Sequence, residues 1–172
     1  MNTGVQRSGA TPPAARTATT QAVGNEPGNV FGQGKFVPRI AMAHEIPYVA
    51  TATVADLRDL EAKVLRAMEF RGARYLHILV PCPSGWGSQS CDTIKIARLA
   101  TQSGLFPVFE AEKGELVSST KIRKKVPVEE YLKTQARYSH LFSPQRRDDV
   151  INHLQSMADK NIARYNLEGD QE

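Results

Sequence analysis

Apolar positions along the chain change their spacing several times, and each change predicts an element. Val37 to His44 is apolar on one side only, which predicts a short helix ending before Pro47, whose ring disfavours helical geometry in the preceding residue. Tyr48 to Thr53 reads as a strand. Thr53 followed by Asp56 is a capping-box-like start. Leu57, Leu60, Val64 and Met68 then share one helical face until Gly72, so a helix is expected over about 54–71. Tyr75 to Val80 is almost continuously apolar between Gly72 and Pro81, the pattern of a strand buried on both faces. A helix over about 92–103 is expected next, with Ile94, Ala97 and Ala100 inward and Gly104 as its stop, followed by a strand at Pro107 to Ala111. Strand, helix, strand, helix, strand is the order of an α/β sheet with right-handed crossovers, mostly parallel and covered by helices on both faces.

The two ends of the chain are patterned differently. Residues from 113 on predict a turn at Lys113-Gly114, a polar strand to about Ser119 and a helical tail. Pro127 and Pro144 each stand where a first helical residue would, the second behind the capping residue Ser143. Ile151, Leu154, Ala158 and Ile162 give the last helix a single apolar stripe, suited to packing on its own domain or on a partner subunit. Residues 1 to about 34 are rich in Gly, Thr, Ala, Pro, Ser and Gln with no helical or strand period. Composition alone favours a flexible tail there. The alternative is an ordered loop whose glycines let backbone N–H groups approach a phosphate.

With 172 residues, 41% of them hydrophobic, the chain can bury a real core. No run approaches the roughly 20 apolar residues of a membrane span, and the first residues lack the apolar centre of a signal peptide, so a cytoplasmic protein without membrane attachment is expected. The formal charge of +4 is scattered. Only Lys121 to Lys125 forms a run, and with no aromatic stacking platform beside it a solvated edge is favoured over a nucleic-acid site. Two cysteines, Cys82 and Cys91, make neither a disulfide framework nor a metal-binding pair, so any metal centre must borrow ligands from other polypeptide.

Ligands of α/β sheets gather beyond the carboxyl ends of the strands, which directs attention to Pro81-Cys82-Pro83-Ser84-Gly85-Trp86-Gly87. Prolines on both sides of Cys82 would hold its sulfur in a set direction; a buried, inert thiol beside Trp86 is the plainer alternative. The second place is Met1-Asn2-Thr3-Gly4-Val5-Gln6, where amide, hydroxyl and glycine in succession could hydrogen-bond one polar ligand, although such a run is also ordinary turn chemistry. His44 would end a helix and interact with its dipole; no spacing among the histidines suits a hydrolytic triad or a zinc site.

Several of these segments occur together in a familiar order. The Met1 to Gln6 hexapeptide resembles the segment following the magnesium-binding strand in beta subunits of 2-oxoacid:ferredoxin oxidoreductases, the pyruvate synthase type of enzyme. Ala43 to Ala52, Pro81 to Trp86, Thr93 to Ala100 and Phe106 to Glu110 are similar to later segments of that family. Pro127 to Leu132 with Gln135, Arg137 and His140-Leu141 resembles its tail, with Ala136 where glycine is expected.

The resemblance implies the C-terminal half of a thiamine-diphosphate-binding beta subunit: an incomplete thiamine-diphosphate-binding fold in three layers, with a C-terminal helical tail. Residues 1–34 would be a cofactor-facing loop segment, 35–112 the α/β part, and 113–172 a hairpin and helical subunit-contact tail. Asn2 would face the reactive side of thiamine diphosphate and the bound 2-oxoacid, with Thr3 and Gly4 shaping that pocket. Cys82 would be the fourth thiolate of a 4Fe-4S cluster, and Cys91 would be structural. The Gly-Asp-Gly motif for diphosphate and Mg2+, and the other cluster cysteines, lie upstream in the family. The cofactors would therefore be shared with an N-terminal half or partner chains, and the isolated chain is expected to be inactive. A late gene-model start, a truncated product or a subunit split between two chains would each account for that. The implied partners are the other subunits of the complex, ferredoxin, coenzyme A and a 2-oxoacid. A non-catalytic subunit or assembly module, or a subunit for an aryl glyoxylate, oxalate or branched-chain substrate, is the rival expectation.

Overall fold

The strands are β1 (Tyr48–Thr53), β2 (Arg74–Leu79), β3 (Phe109–Glu112) and β4 (Glu115–Ser119), joined in one sheet in the order β2-β1-β3-β4. The structure is a computed structural model and describes residues 6–20, 28–29 and 34–169. Every residue of β1 is buried, because the strand is flanked on both edges and covered on both faces. Six helices accompany the sheet among the described residues: α1 (Val37–Ala43), α2 (Leu57–Glu69), the single turn α3 (Pro83–Trp86), α4 (Thr93–Gln102), α5 (Val128–Lys133) and α6 (Asp148–Arg164).

Alternation along β1 sorts the side chains into two layers. Tyr48 and Ala50 pack with Ala67 of α2 on one face. Val49, Phe109 and Ala111 pack with Ala41 of α1 and with Ile162 and Tyr165 at the end of α6 on the other. The Phe109 and Tyr165 rings stack at 4.5 Å. Inside the sheet, Thr51 Oγ donates to the Pro107 carbonyl at 2.7 Å and accepts from the Phe109 amide at 2.9 Å, binding β3 to β1 from within the core. Beside the sheet lies a helical cluster in which Ile96 and Ala100 of α4 meet Val128 and Leu132 of α5 and Leu154 of α6. The stripe Ile151, Leu154, Ala158 and Ile162 is buried throughout, as its spacing predicts, and its branched members contribute about 2 kcal/mol each by area burial.

The α/β class with helices on both faces stands, but the expected mostly parallel pairing does not. β1 and β2 are parallel from Tyr48↔Arg74 to Thr53↔Leu79, whereas β3 runs antiparallel to β1 and β4 antiparallel to β3. The reason lies in α4, whose buried residues are claimed by α5 and α6, so it does not cross back over the sheet to return the chain for a parallel strand. The hairpin that follows turns at Lys113 (φ +50°) and Gly114 (φ +89°), the two left-handed residues of a tight turn, and a Cβ on Gly114 would stand 2.9 Å from the Met42 carbonyl oxygen.

Five further differences are informative. The helix expected from about 54 starts at Leu57, because Asp56 and not Thr53 caps it, accepting from the Asp59 amide at 3.1 Å. Its buried side carries Lys63 and Ala67; Leu57 and Met68, expected inward, are 66% and 72% exposed. Lys63 is tolerated inside because its ammonium donates to the Thr51 carbonyl at 3.0 Å and to Asp59 at 2.7 Å. β2, expected to be buried on both faces, pairs with β1 alone among the described residues and is only partly covered. Ile94, expected inward, is exposed; Ile96 takes its place in the core. Pro144 does not start a helix: it follows Ser143 in a turn across a cis peptide bond, and α6 begins at Asp148.

Candidate functional site around the turn after β2

Beyond the carboxyl end of β2 the chain makes a tight, proline-bounded turn. Cys82 is extended (φ −108°, ψ 107°) and precedes α3, with its carbonyl accepting from the Trp86 amide at 2.9 Å. The Pro83 carbonyl accepts from Gly87 at 2.9 Å and Ser88 at 3.1 Å, which closes the turn through Gly87 in the left-handed region (φ +65°). Two rings at Pro81 and Pro83 restrict φ on either side of the thiol. Cys82 is half-buried there, and Cys91 is exposed.

The C-terminal segment braces this turn. The Ala136 amide donates to the Gly87 carbonyl at 3.1 Å, and a Cβ on Gly87 would lie only 2.6 Å from the Ala136 Cβ. The Arg137 guanidinium stacks on the Trp86 indole at 3.9 Å while donating to Gln135 Oε1 at 2.9 Å and to the Tyr131 hydroxyl at 3.1 Å. Gln135 is buried and donates to the Tyr131 carbonyl at 2.7 Å, so the platform beneath Arg137 is itself held.

The N-terminal segment closes the other side. The Arg16 amide donates to the Arg137 carbonyl at 2.9 Å, Asn29 exchanges backbone bonds with Ala14 and Ala15, and the Asn29 side chain donates to the Thr11 carbonyl at 2.9 Å. Residues 6–20 and 28–29 are thus a packed, hydrogen-bonded loop, where composition alone favoured a flexible tail. Short polar side chains that satisfy one another's backbone replace the missing large apolar groups. Between this loop, β2, Trp86 and Arg137 lies a cleft of about 520 Å3, within the range of small-molecule sites.

His77 and Arg16 face this cleft. The His77 ring lies 6.1 Å from Phe36 and 5.8 Å from Phe106, with the Tyr75 hydroxyl 3.3 Å from Nδ1; burial among these rings holds its pKa below the usual histidine value and leaves it neutral near pH 7. His140 lies behind the loop with both ring nitrogens buried and no well-formed hydrogen bond among the described residues, the Ala14 backbone being the polar group that favours its protonation. Burial first, and the Arg16 cation second, push its pKa down to about 4. His44 is the C-terminal cap residue of α1, its backbone amide bonding back to the helix carbonyls.

Of the residues singled out in the sequence, Asn2, Thr3 and Gly4 lie outside the described residues, and the first described residue, Gln6, lines the cleft. Cys82 stands at the strand end, with Gly85 and Trp86 of its own turn lining the cleft. No group of three or more His, Cys, Asp or Glu side chains positioned to hold a metal occurs among the described residues. Cys82 therefore fits an iron-sulfur cluster only as a single ligand to a centre completed by other polypeptide. Sequence reasoning placed Trp86 and Arg137 within motifs but not against each other; only a shared bias toward π and guanidinium groups could have signalled the pair. Lys121 to Lys124 of the basic run after β4 line a smaller cleft of about 240 Å3; Lys121 donates to the Asn166 carbonyl, and Lys125, outside that lining, pairs with Asp159. No helix among the described residues is long and apolar enough to cross a membrane.

Fold and site together define an α/β domain with a ligand-sized cleft at the carboxyl end of a parallel strand, lined by Gly85 and Trp86 of the turn that carries a constrained thiol. The chain is 43% identical over 168 residues to the pyruvate synthase subunit PorB of Methanosarcina barkeri, covering 98% of this chain and 56% of that protein. It is 41% identical over 160 residues to the pyruvate synthase subunit PorB of Methanocaldococcus jannaschii, covering 93% of this chain and 52% of that protein. With the ketoisovalerate oxidoreductase subunit VorB of Pyrococcus abyssi it shares 41% identity over 143 residues, 82% of this chain and 46% of that protein. No protein-family model matches the chain. The chain belongs to the 2-oxoacid:ferredoxin oxidoreductase beta-subunit family, and it spans about half the length of the curated relatives it matches.

Proposed function

We propose that this chain is the C-terminal part of the beta subunit of a cytoplasmic 2-oxoacid:ferredoxin oxidoreductase of the pyruvate synthase type. That enzyme converts a 2-oxoacid and coenzyme A to acyl-CoA and carbon dioxide, passing two electrons singly to ferredoxin. The observation that carries the reading is the constrained, half-buried thiol of Cys82 at the end of β2, in a chain whose relatives are named as subunits of such enzymes. Thiamine diphosphate with Mg2+, when bound, supplies the carbanion chemistry of decarboxylation, and 4Fe-4S clusters supply one-electron transfer.

This chain's own residues have narrower tasks. Cys82 donates one thiolate to the cluster, and the prolines beside it fix where that sulfur stands. Asn2 orients the 2-oxoacid, with Thr3 and Gly4 shaping the same pocket. Arg16 and Arg137 give the cleft a positive field suited to anionic groups. Residues 1–34 serve as the cofactor-facing segment, 35–112 as the sheet behind it, and 113–172 as the tail that contacts neighbouring subunits. The relative named as a ketoisovalerate oxidoreductase subunit supports a second reading for the substrate, a branched-chain 2-oxoacid.

Cys82→Ser in the assembled complex tests the assignment. Loss of one cluster's electron paramagnetic resonance signal, with ferredoxin reduction falling more than carbon dioxide release, is expected. Intact iron content with both activities lowered equally would overturn it.

A further inference from the structure

The smaller cleft, of about 240 Å3, shares only Phe106 with the lining of the larger one. It opens beyond the carboxyl end of β1, where Thr53 and Ala55 form part of its wall, the place at which α/β sheets receive ligands. Arg98 and Gln102 stand one turn apart on the same face of α4, and Arg123 and Lys124 come from the segment after β4. Val108 and Leu167, both buried, add apolar lining between them. The segment after β4 is fixed at three points. The Thr120 amide donates to the Val108 carbonyl at 2.9 Å, the Ile122 amide to the Leu167 carbonyl at 2.8 Å and the Val126 amide to the Gln102 carbonyl at 3.2 Å. Its cations are therefore carried on braced backbone.

Arg98, Lys121, Arg123 and Lys124 all line this cleft, and none of them pairs with a carboxylate among the described residues. Lys121 donates to the Asn166 carbonyl at 2.6 Å, which leaves its charge uncompensated. The two acids of the lining are already engaged: Asp56 accepts from the Asp59 amide at 3.1 Å, and Asp59 pairs with Lys63 at 2.7 Å. Because the Asp56 carboxylate caps α2, the attraction for an anion comes from the side chains and not from the helix end. Guanidinium groups donate in pairs to a tetrahedral oxyanion, and the Gln102 amide, without a hydrogen bond of its own among the described residues, adds a neutral donor. The volume falls short of the roughly 300 Å3 from which drug-sized ligands are held, so the occupant is small. We infer that this cleft binds a compact phosphate monoester, with Arg98, Arg123 and Lys124 taking the phosphate and Val108 and Leu167 lying against a short carbon skeleton. The inference needs neither Cys82 nor any cofactor.

Calorimetric titration of glycerol 3-phosphate into the full chain at low salt tests it. Saturable one-to-one binding is expected, and Arg98→Gln and Lys124→Gln should each weaken it about fivefold or more. Both positions are exposed, so neither variant should unfold the chain, and the Trp86 emission checks that. Lys160→Gln removes the same charge from an exposed position of α6 outside the cleft and should leave the affinity unchanged. Coenzyme A carries a phosphate monoester at its 3′ position. Competition by coenzyme A but not by 3′-dephospho-coenzyme A would assign the bound group to that substrate, and competition by neither would assign it to a free metabolite. Absence of saturable binding, equal weakening by Lys160→Gln, equal competition by both coenzyme A forms, or tighter binding of a single-stranded oligonucleotide through Arg98 would overturn the proposal. Since the readout is binding to this chain, an assembled complex in which Cys82→Ser keeps its iron would sink the cluster assignment and leave this site standing.

Discussion

The guanidinium of Arg137 lies 3.9 Å from the centre of the Trp86 indole, and through this contact the C-terminal segment holds the thiol-bearing turn after β2. Arg137→Ala removes the stacking and the bonds to Gln135 and Tyr131, and is expected to cost about 1–2 kcal/mol. Arg137→Lys should recover little, because an ammonium cannot lie flat on the ring and donate in plane at once. Trp86 is the chain's single tryptophan, so its emission reports the site directly. A red shift in both variants, with a lower urea midpoint, is the expected result; an unchanged spectrum in Arg137→Ala would contradict the contact.

Gly87 and Ala136 abut so closely that neither position can grow. Gly87→Ala forces a side chain into left-handed backbone and places its Cβ 2.6 Å from that of Ala136, so a loss of about 2 kcal/mol or more is expected. Adding Ala136→Gly should return the steric part and leave about 1 kcal/mol of backbone strain. The four denaturation midpoints of a double-mutant cycle measure that coupling, and simple additivity would show that the two residues do not meet.

His140 makes stability depend on pH in a definite direction. Its pKa of about 4 in the fold lies below the ordinary value of 6.5, so the unfolded chain takes up the proton first. Its contribution is complete above about pH 6.5, declines as pH falls toward 4, and is flat below that. Arg16 and Arg147 are the cations that oppose its protonation. Urea midpoints from pH 7.5 to 4.5 should fall more steeply for the native chain than for His140→Leu. Equal slopes would place the responsible proton elsewhere, His77 being the other histidine with a lowered pKa.

Legibility in the sequence followed the range of the interactions. The strand at Tyr48 to Thr53, the turn at Lys113-Gly114 and the stripe of α6 depend on spacing and on the conformational limits of a few residues, so they could be read without coordinates, whereas α2 ends at Glu69, before the expected stop at Gly72. The turn around Cys82 was legible for the same reason, since proline and glycine act on their own backbone. Its chemical meaning came from the resemblance of several segments in order.

Long-range competition decided the rest. Whether a face is inside depends on what else claims that space: Leu57 and Met68 look like core by period, yet Lys63 and Ala67 are buried because Thr51 and Asp59 satisfy the ammonium. The direction of β3 turned on α4 packing against α5 and α6, and the polar N-terminal loop was ordered by its own hydrogen bonds together with one to Arg137, more than a hundred positions away. Sequence by itself determined the local elements, the α/β class and the placing of a thiol at a strand end. Only tertiary structure decided which strand lies at the open edge, which helix flank is left bare and which guanidinium covers the tryptophan, because those depend on contacts between segments that no local period records.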